Sequence, residues 1–252
     1  MTEKFSIQSV RTGDTLLFAN NTPTGFLLRQ ATKSHWSHVG IAVRLLFINQ
    51  QILISLNSEG ELFVLEISTS EREDVFTKQK LVGAAVSPFD EVKKQHNIVG
   101  VRHLKDEYLT EEFRQNVMTF IEKYRGYRFT SEPMEFIQVW LGIPFLGKTD
   151  DIEIFCTELN VKFYSECLNI HEIFGEESPL YSYMYRPEDF NYPYRNSIFL
   201  DDTEPEIVFQ ENSDPINILL MPIVLGILVF LILLFVIYLI DLIHKRFYPD
   251  NR

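Results

Sequence analysis

Cys156 and His38 are the residues whose types and settings bear most directly on chemistry. Cys156 stands in Ile154-Phe155-Cys156-Thr157-Glu158-Leu159, where an apolar pair leads into a helical pattern. His38 stands far upstream in Ser37-His38-Val39-Gly40-Ile41-Ala42-Val43, which reads as a strand. A cysteine that opens a helix lies where unpaired backbone N–H groups and the helix dipole favour its thiolate, the nucleophilic form. A histidine can orient and deprotonate a thiol, and the pair can share charge as thiolate and imidazolium. A cysteine nucleophile and a histidine base are the minimum parts for covalent acyl chemistry. Residue type alone leaves a structural alternative open for each: a small buried cysteine and a hydrogen-bonded core histidine. Cys167, deeper in the same expected helix, reads as structural.

The elements that must position these residues follow from periodicity. Gly13-Asp14 makes a turn ahead of a short strand, Thr15 to Phe18. Ser37 to Phe47 is the histidine strand; His38, Gly40 and Ala42 share one face, and the small pair leaves room for a close neighbour. Ile52 to Leu56, Leu62 to Ile67 and Gly100 to Leu104 are further strands. Glu66, at the expected end of its strand, could orient the imidazole as the third member of a triad. A solvated strand-end carboxylate is the alternative. Thr110 to Tyr124 is an amphipathic helix with Thr110 as N-cap, acids in its first turn and an apolar stripe through Phe113, Val117, Phe120, Ile121 and Tyr124. Gly25 to Ala31 and Ser131 to Trp140 read as shorter helices, and Phe155 to Cys167 as the helix that carries both thiols.

Bulk properties narrow the class. The chain has 252 residues, 21 of them Phe, and a net charge of −12. That charge excludes a phosphate-neutralising surface, so no nucleic-acid partner is expected. Cys156 and Cys167 would lie roughly 16 Å apart along one helix at 1.5 Å per residue, beyond the ~7 Å Cα separation that a disulfide tolerates. Two free thiols are therefore expected. His35 sits in a Ser/Trp-rich loop and reads as surface or substrate-proximal. His96, His103 and His171 have no metal-like spacing, so neither metal nor cofactor is expected.

The C-terminal part changes character. Residues 191–215 are acidic and proline-containing and read as a solvated tether. Ile216 to Ile240 is an uncharged apolar run, long enough at 1.5 Å per residue to cross a hydrocarbon layer of roughly 30 Å. The expected organisation is a domain over 1–190, the tether over 191–215, a transmembrane helix over 216–243 and a short basic tail over 244–252. His244-Lys245-Arg246 after the span would place the C-terminus in the cytoplasm by the positive-inside rule. The N-terminus shows no apolar export signal, and a tail anchor with a cytosolic domain is the preferred reading.

The order of these phrases resembles the NlpC/P60 superfamily, and within it the circularly permuted papain-like branch, in which the histidine strand precedes the cysteine helix. The phrases are Gly13-Asp14-Thr15-Leu16-Leu17-Phe18, Ser37-His38-Val39-Gly40-Ile41-Ala42-Val43, Val64-Leu65-Glu66 and Phe155-Cys156-Thr157-Glu158-Leu159. Tyr185-Arg186-Pro187-Glu188-Asp189-Phe190 is similar to the family's closing P-x-D phrase. Thr157 stands where many relatives have Ser. Gly126-Tyr127-Arg128-Phe129 matches a further phrase imperfectly, since Thr130 replaces its acid. The resemblance covers about Arg11 to Phe190. It implies an α+β fold, an antiparallel sheet or small barrel packed on the cysteine-bearing helix, with Cys156 as nucleophile, His38 as base and Glu66 as the residue that orients His38. It implies acyl transfer through a thioester on an amide or ester of a peptide or lipid, and the apolar run favours a membrane-proximal lipid or lipidated substrate. A catalytically inactive, membrane-tethered binding domain with the same fold is the competing class.

Overall fold

Alternating apolar residues build one antiparallel sheet whose faces carry different loads. The computed structural model describes residues 7–20, 29, 34–129, 153–170, 173, 185–191, 197–200 and 205–210, all in the unit Met1–Glu211. Its strands are β1 (Thr15–Ala19), β2 (His38–Ile48), β3 (Gln51–Ser55), β4 (Glu61–Glu73), β5 (Lys80–Pro88), β6 (Ile98–Arg102) and β9 (Glu206–Gln210). They form a seven-stranded sheet in the order β5-β4-β2-β1-β6-β9, with β3 paired to the distal part of β2. Two short strands, β7 (Arg128–Phe129) and β8 (Glu153–Ile154), pair in parallel just before the cysteine helix. The helices are α1 (Phe89–Val92), α2 (Glu111–Tyr124) and α3 (Cys156–Leu168).

The period of two assigns the faces. Val39, Ile41, Val43 and Leu45 of β2 join Leu17, Leu65 and Ile67 in the larger core, against which α2 and α3 pack. Phe113, Val117, Phe120, Ile121 and Tyr124, the stripe read from the sequence, are all buried there. The Phe163 ring of α3 meets Phe120 edge-on at 5.3 Å. Leu16, Phe18, Ala42 and Val64 line the opposite face in a second cluster with Phe89, Val99 and Val208. His38, Gly40 and Glu66 belong by register to this second face.

Asp14 explains the Gly13-Asp14 phrase in structural terms. Its side chain is fully buried and accepts hydrogen bonds from the Arg11 N–H (2.7 Å), the Leu104 N–H (2.9 Å) and the His103 ring (2.9 Å). Gly13 has φ +92°, and a Cβ there would lie 2.8 Å from the Phe113 ring; both conditions call for glycine. Thr110 caps α2 by accepting from the Phe113 N–H, and Asn169 closes α3 in the left-handed conformation.

Three sequence expectations are corrected. β4 does not end at Glu66. It runs on to Glu73, because β5 continues the ladder past a bulge between Ser68 and Arg72. β5 itself had no counterpart among the expected strands. Part of the stretch 191–215 is not a solvated tether: Ile198 and Phe199 are buried in the larger core, and Glu206–Gln210 pairs with β6. The apolar Ile207-Val208-Phe209 triplet gains burial and a ladder that the surrounding acids obscured. The packed unit thus extends beyond residue 190. The helix expected at Ser131 to Trp140 lies outside the described residues, as does that at Gly25 to Ala31 apart from Arg29, which is helical. Ile216 to Ile240 lies outside them too; among the described residues no helix is long and apolar enough to cross a membrane.

Candidate active site

The first residue of α3 meets the first residue of β2. Cys156 is a free thiol at the opening of its helix, whose N-cap, Phe155, offers no capping side chain. The sulfur faces the backbone N–H groups of Thr157 and Val39 and the His38 side chain, all of which favour its thiolate. Asn160 Nδ2 donates to the Cys156 carbonyl at 2.9 Å. Tyr164, two turns on and fully buried, anchors α3 to the sheet. Its hydroxyl donates to the Gly13 carbonyl at 2.7 Å and accepts from Thr15 Oγ1 at 2.6 Å.

His38 is held at both ends. Nε2 lies 2.7 Å from Glu66 Oε2, which leaves the other ring nitrogen for the thiol of Cys156. Glu66 is 1% exposed and stands mid-strand, so the solvated strand-end alternative does not apply. Its second oxygen accepts from Arg72 Nε at 3.1 Å, and Arg72 in turn donates to Gln95 Oε1 at 2.6 Å. By register Glu66 falls opposite Gly40. A Cβ at Gly40 would stand 2.8 Å from Val64 Cγ1 and 3.4 Å from Glu66 Cβ. The close neighbour foreseen beside Gly40 is thus the adjacent strand within the sheet, and the missing side chain makes room for Val64.

The approach loop to His38 is fixed by the Pro187-Glu188-Asp189 phrase. Glu188 Oε2 accepts from the His35 N–H at 2.9 Å, and Asn191 Oδ1 accepts from Trp36 Nε1 at 2.8 Å. Trp36 then lies over Gly100, where a Cβ would approach its ring to 2.7 Å. His35 itself is exposed, in keeping with the surface reading. His103 serves the Asp14 hub and Glu206 of β9, to which its Nε2 lies at 3.0 Å. His171 lies outside the described residues. Among the described residues no cluster of His, Cys, Asp and Glu has the arrangement of a metal site.

The electrostatics follow from this geometry. Burial pushes the Cys156 thiol up, but the charge and hydrogen bond of His38 and the two backbone N–H groups outweigh it and bring the thiol below its ordinary value. Burial likewise pushes His38 down, and the Cys156 thiolate and Glu66 more than offset this, raising the imidazole to about 10. Glu66, which burial alone would raise, is held below the usual carboxylate range by His38 first and Arg72 second. Cys156, His38, Glu66 and Arg72 therefore run in a row, half-buried at Cys156 and His38 and buried at Glu66 and Arg72, in which each neighbour favours the charged form of the next. Cys167 is the contrast: burial and Glu166 push its thiol up, which suits an inert core residue.

Sequence reasoning named Cys156, His38 and Glu66, and the fold brings all three together. It missed Arg72, Gln95 and His96. His96 is 7% exposed and stacks on the His38 ring with 6.0 Å between centroids and 1° between planes. No spacing signal joins Arg72 or His96 to His38; they meet because β4 runs on past Glu66 and because the loop before β6 returns beneath Phe18.

No protein-family model matches the sequence, and no curated protein matches it. Among solved structures, the chain is similar to the metalloprotein yiiX from Escherichia coli O157:H7, with 15% identity, a TM-score of 0.42, and coverage of 80% of this chain and 89% of the other.

Proposed function

We propose that this chain is a membrane-anchored cysteine hydrolase or acyltransferase of the permuted papain-like, NlpC/P60 kind, acting on an amide or ester through Cys156, His38 and Glu66. The observation that carries the reading is the row from the Cys156 thiol at the start of α3 to His38, a pair biased towards thiolate and imidazolium, and on to Glu66, 2.7 Å from His38 Nε2. A binding module has no use for a depressed thiol. In the first half-reaction the Cys156 thiolate adds to the carbonyl carbon, and the leaving amine or alcohol takes its proton from the His38 imidazolium as the carbon–heteroatom bond breaks. The acyl group is then a thioester on Cys156. In the second, His38 removes a proton from water or another acceptor, whose oxygen or nitrogen attacks the thioester and frees the thiolate. Glu66 keeps Nε2–H directed and balances the imidazolium, the role of the third member of a triad. The backbone N–H groups at the open end of the helix are the natural donors for the developing oxyanion.

Residues 216–243 supply the membrane anchor in this reading. Their apolar length favours an acyl lipid or a lipidated protein at the bilayer over a soluble peptide. The test is the pH dependence of Cys156 alkylation in the full chain in detergent micelles, with Cys167→Ala as background. A midpoint well below the free-thiol value of about 8.5, which rises in His38→Ala, is expected. An ordinary midpoint indifferent to His38 would return the chain to the non-enzymatic class. Turnover of soluble dipeptide amides alone, with none of acyl lipids, would overturn the membrane-substrate part.

A further inference from the structure

The segment between α1 and β6 contributes a residue to the site for which the acyl-transfer reading has no role. His96 packs parallel to His38 at 6.0 Å and 1°. Phe18 touches both, 4.6 Å from the His96 ring and 5.7 Å from the His38 ring. His96 Nδ1 is buried and has no hydrogen-bond partner among the described residues. Burying an imidazole nitrogen unpartnered costs stability, so an aliphatic side chain would serve packing better. What an aliphatic residue cannot offer is a flat aromatic face against a cation.

We propose that His96 is a positioning residue: a neutral ring that, with Phe18, backs the His38 imidazolium from one side and holds it in the plane where one nitrogen meets Glu66 and the other meets Cys156. The proposal rests on the acyl-transfer reading of that site. The charges around the two rings agree with it. His38 faces the thiolate from α3 and Glu66 and Arg72 from β4, while β1 presents the uncharged Phe18. Burial first, and then the charges of His38 and Arg72 against the smaller opposing pull of Glu66, hold His96 far down, at about 3, so between that pH and about 10 it is uncharged while His38 is cationic. A second cation against His38 would weaken the pair with Cys156; a neutral ring stabilises it.

The experiment reads the alkylation midpoint of Cys156 in the full chain in micelles for His96→Phe and His96→Ala, with thermal melts to show that each is folded. His96→Phe keeps the ring and should leave the midpoint in place. His96→Ala removes it and should raise the midpoint by about one unit, a roughly tenfold loss of thiolate at pH values below it. A folded His96→Ala with an unmoved midpoint would overturn the proposal, as would a His96→Phe shift as large as that of His96→Ala, since the nitrogen and not the ring would then matter. Should His96→Ala fail to fold, His96→Leu fills the volume without a ring and is read in the same way. A wild-type midpoint that is ordinary and indifferent to His38 would sink the acyl-transfer reading and this one with it. A depressed wild-type midpoint that ignores the ring at position 96 sinks this one alone.

Discussion

Glu66 stands opposite Gly40 on the neighbouring strand, and its carboxylate lies 2.7 Å from His38 Nε2. A methyl group at Gly40 would come within 2.8 Å of Val64 Cγ1 and 3.3 Å of the Leu65 carbonyl. Gly40→Ala is therefore expected to destabilise the unit by ~1–3 kcal/mol through overpacking and to push β4 away from His38. Chemical denaturation gives the first effect. The second appears as a rise in the Cys156 alkylation midpoint, and a variant with wild-type values of both would contradict this account of the glycine.

The proposed acyl transfer would carry a pH profile of definite sign. The reactive pair needs Cys156 deprotonated and His38 protonated. Falling pH removes the thiolate, and because the thiol lies below its ordinary value the acid limb should appear below about 8.5. Rising pH removes the imidazolium proton, and that limb should appear near 10. The expected rate profile is a bell whose acid limb lies below the free-thiol value and whose alkaline limb lies near 10. A profile that only climbs towards pH 9 would mean an ordinary thiol.

Arg72 is tied to the chemistry only through Glu66. Arg72→Met removes a cation from a carboxylate that is 1% exposed. Leaving a buried acceptor short of a donor costs ~1–3 kcal/mol. With Arg72 gone, Glu66 should rise and orient His38 less firmly, moving the acid limb of the bell upward. Arg72→Lys keeps the charge and should recover part of both effects. Equal acid limbs in Arg72→Met and wild type would confine Arg72 to a packing role.

The parts of this architecture that were legible in the sequence are those whose signal is local. α2 and α3 show an apolar stripe or a helix-opening pattern, and β2 shows a long apolar alternation, so each was placed within a residue or two. β5 was not, because Gly83-Ala84-Ala85 has little intrinsic strand preference; it is a strand because β4 offers it a ladder. β9 was hidden by the acids and prolines around three apolar residues. In the site, Cys156 and His38 carry their own local marks, whereas Glu66 was picked out mainly by family resemblance. Arg72, Gln95 and His96 reach the site through tertiary contacts of the β4 extension and the β6 approach, which no spacing in the chain encodes.

Tyr164 separates placement of Cys156 from its proposed chemistry. It is the fully buried side chain through which α3 grips both the Gly13 turn and Thr15 of β1. Tyr164→Phe keeps the ring contacts with Phe163 and Phe199, at 5.2 and 5.3 Å. It removes the hydroxyl and leaves the Gly13 carbonyl and the Thr15 hydroxyl without that partner. The expected loss is ~1–3 kcal/mol, read in urea unfolding as a lower midpoint with an unchanged slope. Cys156 is held locally by Val39, Thr157 and His38, so its alkylation midpoint should stay in place in the folded variant. A shifted midpoint at unchanged stability would mean that the tyrosine hydroxyl acts on the thiol and not on the docking of the helix.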